Sequence, residues 1–496
     1  MRNSFVASMQ ADNNMTYTEN GALAMKSTNS DIVDLFGIIG ALRSRDKSEV
    51  ERLFAKAFAE DKLLATKMSF YARNIRGGLG ERNTARVIWR YLATSQPDIM
   101  KKNLQYVPFF GRWDDLYYLL DTPVEQDVWE LIRTQFEEDY DAMLKHNSIS
   151  IMAKWLKSAN SKNSTYAKWG KRTARALHMS DKEYRKAMSA LRAYLDVVEV
   201  KMSKGDFTAI TYSAVSSRAM MRYRDAFDNH DSEGFQNYLE SLKKGETKVN
   251  ASTLYPYDIM ESYGLRTTWM SYSNYLSCTK DYDAVLEEQW KALPNYVSGE
   301  NNVLVMADTS GSMRGRPMAT SVGLALYFAE KNKGAFKDVF MTFSDDPKFV
   351  TLKGETLKDK VSNIEAIVAN TNIEAAFRKI LKVSKENNVP AEDMPKALVI
   401  ISDMEFDVAT YDRDCTYYDK FVKMYAEAGY ALPTVIFWNV DSRHDVFHVA
   451  CDKPGVQLAS GASASTFQSV LRNIGKTPYE AVVETLSAEM YDVITV

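Results

Sequence analysis

The chain has 496 residues, 45% of them hydrophobic and 26% charged, and a formal net charge of −3. That length favours two or three domains over one core, and the composition is that of a folded globular protein rather than a disordered or fibrous one. No uncharged apolar run reaches the roughly 18 residues needed to span a bilayer, and the opening MRNSFVASMQADNNMTYTENGALA lacks the apolar core of a secretory signal, so a membrane role is not expected. Cys278, Cys415 and Cys451 show no CxxC spacing, which argues against a disulfide framework and a thiolate zinc site and fits the cytoplasm.

Up to about Tyr296 the apolar residues recur mostly at helical spacing, as in VERLFAKAFAEDKLLATKMSFYARNI, RVIWRYLA, DDLYYLLD and DKEYRKAMSALRAYLDVVEVKMSK. Short polar breaks such as IRGGLGERN, VPFFGRWD and HDSEG separate these segments. A succession of helix pairs without a fixed period predicts an irregular, HEAT-like α-solenoid over residues 1–296.

Within that region RNIRGGLGERNTARVIWR carries Arg73, Arg76, Arg82, Arg86 and Arg90 around a glycine turn, with Glu81 as its acid. Arg82, Arg86 and Arg90 recur every four residues and form one stripe on the predicted helix. Residues 151–224 are strongly basic, with Lys154, Lys171, Arg172 and Arg175 among many cations and only Asp181, Glu183, Asp196, Glu199 and Asp206 as acids. Guanidinium groups grip phosphate and stack on bases, so the pattern suits small or single-stranded RNA, with Tyr71, Trp89, Trp155, Tyr166 and Trp169 interleaved. The same stripe also reads as a solvated helix face, and the same aromatics as core. GGLG is not a phosphate loop, because no strand precedes it and no GK[ST] follows.

After Pro294 the texture changes. VLVMA (303–307), DVFMTF (338–343), KALVIIS (396–402) and PTVIFWNV (433–440) are short apolar runs, with helical segments such as PMATSVGLALYFAEKN, NIEAAFRKILKVSKE and YYDKFVKMYAEAG between them. Strands buried on both faces and separated by helices predict a doubly wound α/β domain over 297–496. The fold class is therefore α plus α/β.

In such a sheet a ligand sits beyond the carboxyl ends of the strands. There DTSGS follows VLVMA directly, so that Asp308 offers a hard anionic oxygen and Ser310 and Ser312 offer hydroxyls from one turn. Thr371, just before a helix, and Asp403, just after KALVIIS, complete an all-oxygen set suited to Mg²⁺ or another divalent cation. The bland alternative is that Asp308, Ser310 and Ser312 cap the helix beginning near Pro317, which would leave Thr371 and Asp403 without a role. Asp345 and Asp346 in FSDDPK predict a hairpin turn, and His444 and His448 lack the HExxH order of a metal pair. No nucleophile elbow or Ser/His/Asp order stands out, and nothing compels an enzyme.

The order Asp308, Ser310, Ser312, then Thr371, then Asp403 resembles the metal-ion-dependent adhesion site of von Willebrand factor A domains. That resemblance implies a bound Mg²⁺ with one coordination position open to an acidic residue of a protein partner. FYARNIRGGLGERNTARVIWRYL, VPFFGRWDDLYYLL, SIMAKWLKSANSKNS and SALRAYLDVVEVKMSKGDFTAITYSAVSSRAMMRYRDAF resemble successive blocks of a family with phage, bacterial and plant members that joins a helical region to an A domain. Its architecture is distantly similar to the Ro ribonucleoproteins with their TROVE module, which implies binding of small structured RNAs and single-stranded RNA ends. Two expectations result: a Ro-like RNA-binding protein whose A domain also recruits a protein, or a non-enzymatic scaffold for a remodelling ATPase or a phage component, with no RNA role.

Overall fold

Short β-branched runs that are apolar on both faces are stable only inside a sheet covered on both sides, and that is where the runs after Pro294 lie. The computed structural model describes residues 14–270, 273–297, 302–342, 344, 346–364, 371–408 and 416–496. Asp345, Cys415 and the opening stretch of the sequence lie outside the described residues.

β1 (Met15–Tyr17) and β2 (Leu23–Met25) form an antiparallel hairpin, and so do β3 (Leu265–Met270) and β4 (Ser273–Cys278). The main sheet contains β5 (Val303–Ala307), β6 (Val339–Thr342), β7 (Lys348–Thr351), β8 (Ala397–Ser402), β9 (Thr434–Asn439) and β10 (Val456–Ser460). Its order is β10-β9-β8-β5-β6-β7, parallel throughout except for β7, which pairs antiparallel with β6 at the edge. Every residue of β5, β8 and β10 is buried. β5 connects onward to β6 on one side while β8 leads to β9 and β10 on the other, so β5 and β8 flank the point where the winding reverses.

Two compact units make up the chain. One holds the residues up to Ala65, Gly77–Leu79 and Leu254–Ala488; the other holds Thr66–Arg76, Gly80–Thr253 and Glu489–Val496. The division thus departs from the expected segments 1–296 and 297–496. The reason lies in SDIVDLFGIIGAL: Ile32, Val33, Leu35, Phe36 and Ile38 of the helix Asp31–Ile38 are all buried, which suits a sheet-covering helix better than a one-faced repeat helix. This segment lies on β10. The Gly40 N–H donates to Ser460 Oγ at 3.0 Å, and that hydroxyl donates to the Phe36 carbonyl at 3.1 Å. A Cβ on Gly40 would meet backbone atoms of Ser460 and Gly461 at 2.7 Å, so the close approach requires glycine.

The second unit is built from helices, including Arg82–Ser95, Glu125–Leu144, Ser164–Ala176, Asp181–Tyr194, Ser217–His230 and Ser232–Lys243. DDLYYLLD, read as helical, is instead a 3₁₀ segment, Trp113–Leu119, that turns Asp115 inward. Asp115 is completely buried and accepts from two guanidiniums, Arg73 Nε at 2.8 Å and Arg86 Nε at 2.6 Å. Asp114 beside it takes Lys157 Nζ at 2.9 Å. Arg73 and Arg86 are therefore core residues, and the sequence expectation that they hold RNA does not survive. Around them Phe70, Trp89, Phe110 and Tyr491 form an aromatic core within this unit.

Two stability outcomes are expected. Gly40→Ala forces the helix segment off β10 and should cost about 1–3 kcal/mol, read as a lowered denaturant midpoint with an unchanged m-value. Asp115→Ala leaves two buried guanidiniums without a counter-charge and should cost about 3–5 kcal/mol, read in the same titration with Asp127→Ala, a half-exposed acid, as the near-neutral control.

Candidate functional site

β5 and β8 are in-register parallel neighbours, with Ala307 opposite Ile401. Each is followed directly by an acid, so Asp308 and Asp403 emerge at the same end of the sheet. The Asp308 N–H donates to the Ile401 carbonyl at 3.0 Å, extending the ladder by one residue and holding Asp308 in place. Its Oδ1 accepts the Ser310 N–H at 2.8 Å, and its Oδ2 accepts the Ser402 hydroxyl at 2.6 Å. The same Ser402 Oγ lies 3.5 Å from Asp403 Oδ1, so one hydroxyl links the two carboxylates. Ser310 Oγ and Ser312 Oγ are 3.1 Å apart, the first buried and the second exposed. Thr371 is buried, and its carbonyl accepts from the Asp407 N–H at 3.1 Å, which sets it beside the loop after β8. Asp308, Ser310, Ser312 and Asp403 therefore lie around this strand end, and the Thr371 backbone is bonded to the loop that follows β8.

Helix capping does not explain them. The helix Arg316–Lys331 begins after Gly315 with no side-chain cap, and the helix Ile373–Glu386 is capped by Asn372 rather than by Thr371. Backbone strain marks the same loop: Met404, between Asp403 and Glu405, has φ +67°, a conformation that costs a non-glycine residue about 1–3 kcal/mol.

Charge is unevenly satisfied here. Burial, and then the charge on Asp403, push the Asp308 carboxyl well above the usual carboxylate range. Among the described residues no Lys, Arg or His pairs with Asp308, whereas Asp403 Oδ2 is 2.8 Å from Arg443 Nη2. A buried carboxylate that has hydroxyl and amide partners but no cation is a poor structural element and a fitting ligand for a hard divalent ion. Asp308, Ser310, Ser312, Thr371 and Asp403 together supply only oxygen, which is the donor chemistry Mg²⁺ prefers.

Sequence reasoning did not foresee Arg443, Glu19, Glu405 and His444, which adjoin this corner. Arg443 Nη2 also pairs with Glu19 Oε2 at 3.0 Å, and His444 Nδ1 lies 3.1 Å from Glu405 Oε1. RHDVFH drew notice for its two histidines, but their partners lie far off in the chain. His448 does not join them: it is buried, its Nε2–H donates to the Met404 carbonyl at 3.1 Å, and burial lowers it to about 4, so it stays neutral.

The basic residues are more dispersed. Besides the buried Arg73 and Arg86, Arg172 is engaged by Glu125 at 2.6 Å and by Asp121 at 3.1 Å. Arg90 donates to the carbonyls of Tyr118 and Leu120, and Arg76 to that of Phe109. Arg82, Lys171 and Arg175 are exposed and Lys154 is half-buried. Arg112, not foreseen, stacks over Trp155 at 4.2 Å, with Lys154 Nζ 6.0 Å from the same ring. Burial, then the charge of Arg73, lower the Arg112 guanidinium to about 10. No described helix is long and apolar enough to cross a membrane.

Residues 302–491 match a family described as Domain of unknown function (DUF7788), and residues 18–148 and 140–300 match one described as Domain of unknown function (DUF2828). Uncharacterized protein L728 of Acanthamoeba polyphaga mimivirus is 27% identical over 517 residues, covering 95% of this chain and 87% of that protein. Among solved structures, the crystal structure of the Deinococcus radiodurans Ro (RSR) protein aligns with a TM-score of 0.44 at 15% identity, covering 93% of this chain and 100% of that one. The matched stretch from 18 to 300 covers more than half of the sequence, and the chain belongs to the DUF2828 family.

Proposed function

We propose that this chain is a non-catalytic binding protein whose strand-end cluster holds Mg²⁺, or another divalent cation, and offers an open coordination position to a carboxylate of a protein partner. The observation that carries this reading is Asp308: wholly buried, joined to Asp403 through one hydroxyl, and without a cationic partner among the described residues. On this reading the sheet unit is a von Willebrand factor A domain and the helical unit its carrier. Asp308, Ser310 and Ser312 act as ligands from the turn, and Asp403, already paired with Arg443, and Thr371 act from the second shell or through water. On this reading the function is capture of a partner's carboxylate.

Thermal unfolding of the whole chain in EDTA and in Mg²⁺ tests the ion. At about a hundredfold excess over the dissociation constant, binding should add about 2.7 kcal/mol to the sheet unit. Asp308→Ala should abolish that gain, and its apo form should be at least as stable as the apo wild type because one of two repelling charges is gone. A Mg²⁺ response that survives Asp308→Ala refutes the reading. Capture of a protein partner should likewise be lost in EDTA and in Asp308→Ala, with the fold intact by circular dichroism.

A second reading, that the helical unit binds small or single-stranded RNA, is favoured by Arg112 stacked on Trp155 beside Lys154, with Arg82, Lys171 and Arg175 exposed. On this reading the helices form a HEAT-like, Ro-type arc. About four phosphate contacts should give a log affinity that falls with log salt at a slope near −2.8, from roughly 0.7 per contact. Neutralising Arg82, Lys154, Lys171 and Arg175 together should remove most of that slope and weaken all sequences alike. No RNA affinity at low salt leaves the scaffold reading alone.

A further inference from the structure

The hairpin of β1 and β2 closes over the loop that follows β8, and its contacts are specific. Thr18 Oγ1 donates to the Phe406 carbonyl at 2.6 Å, Asn20 Nδ2 to the Glu405 carbonyl at 2.7 Å, and the Glu19 N–H to Glu405 Oε2 at 2.6 Å. Gly21 makes an antiparallel bridge to Asp407. With Oε2 of Glu405 occupied, its Oε1 faces His444 Nδ1 at 3.1 Å, and that nitrogen is 3.5 Å from Glu19 Oε1. One ligand atom from each of Glu19, Glu405 and His444 lies within 4.8 Å of the others.

Two carboxylate oxygens and an imidazole nitrogen form the borderline donor set of first-row ions such as Zn²⁺, unlike the all-oxygen set around Asp308. Ligands about 2.05 Å from a tetrahedral ion are separated by about 3.3 Å, between the two observed distances. Glu405 is nearly fully buried, and its backbone and side chain are fixed by the hairpin, so this ligand is preorganised. His444 is half exposed, which leaves an entry path and room for water as the fourth ligand. Charge favours the same outcome: Glu19 and Glu405 place two carboxylates here against the single guanidinium of Arg443, which Asp403 already shares.

We propose that Glu19, Glu405 and His444 bind a first-row divalent cation of the Zn²⁺ class, which clips the β1–β2 hairpin to the loop carrying Asp403. The site does not depend on the Mg²⁺ reading, and the two are separable by donor chemistry. The probe is Co²⁺, added to the whole, metal-stripped chain in excess Mg²⁺, which fills an all-oxygen site but does not compete well for imidazole. The expected result is about one Co²⁺ per chain with visible d–d absorption, displaced by Zn²⁺. His444→Asn and Glu405→Gln should each weaken Co²⁺ by at least about tenfold, while Asp308→Ala leaves it unchanged. His444 is a surface residue, so its variant keeps the result readable even if Glu405→Gln does not fold. Absence of Co²⁺ binding by folded wild type, unchanged affinity in His444→Asn, or loss in Asp308→Ala each overturns the proposal. The first would mean that the cluster is only a hydrogen-bonded contact between hairpin and loop, and the last that the ion sits at the strand-end oxygens.

Discussion

A carboxylate buried without a counter-charge is among the most unfavourable arrangements a protein interior can hold, and Asp308 has no counter-charge among the described residues. Its position is not free to relax. It prolongs β5, it is bonded to the end of β8, and both strands are central in the sheet. Parallel pairing of β5 with β8 in that register brings Asp308 and Asp403 to the same edge and makes their charges repel. The Ser402 hydroxyl moderates the repulsion, and Arg443 moderates it for Asp403 only. What remains is a negative deficit in the crevice of the winding reversal, the place where doubly wound sheets bind ligands.

The network around Asp115 differs from the cluster around Asp308 in how its charge is compensated. In the helical unit, Asp115 is matched by Arg73 and Arg86, and Asp114 by Lys157, so these neighbouring buried acids each have a cation a few ångströms away. Such a network fixes a packing arrangement and has nothing left to offer a ligand. In the sheet unit Asp308 has no such match among the described residues, and the strained Met404 lies in the neighbouring loop. Unbalanced charge and backbone strain at the same strand end are more informative about binding than the number of basic residues, which first drew attention to the helical unit.

The contrast also explains which features could be read from the sequence. VLVMA, KALVIIS and PTVIFWNV declared themselves as strands because apolar β-branched runs on both faces have few other uses, and Asp308 and Asp403 were legible because each directly follows such a run. β10 was not, since VQLAS carries polar Gln457 and Ser460 among its buried residues. Arg82, Arg86 and Arg90 share a helix face by spacing alone, but the acid that draws Arg86 inward is 29 residues away and the same acid is 42 from Arg73. Pairings at that separation leave no trace in a local window. The same applies to Glu19 and His444. SDIVDLFGIIGAL did carry a signal, since apart from Asp31 and Asp34 its helix is apolar on every face, which points to burial.

The threading of the chain has a consequence for synthesis. The segment that lies on β10 precedes the helical unit, while β10 itself follows it, and the last residues of the helical unit come after the sheet is complete. At roughly 5–20 residues per second, a ribosome leaves the helix around Ile38 waiting tens of seconds for the strand it covers. During that interval a largely apolar helix and the β1–β2 hairpin hang from the nascent chain without their partners. Closing so long a loop adds little to the equilibrium cost, since each doubling of length costs only about 0.6 kcal/mol. The burden is kinetic. The interval exposes this leading segment to chaperones and proteases, and the corner containing Glu19 is assembled only after Glu405, Arg443 and His444 have been made.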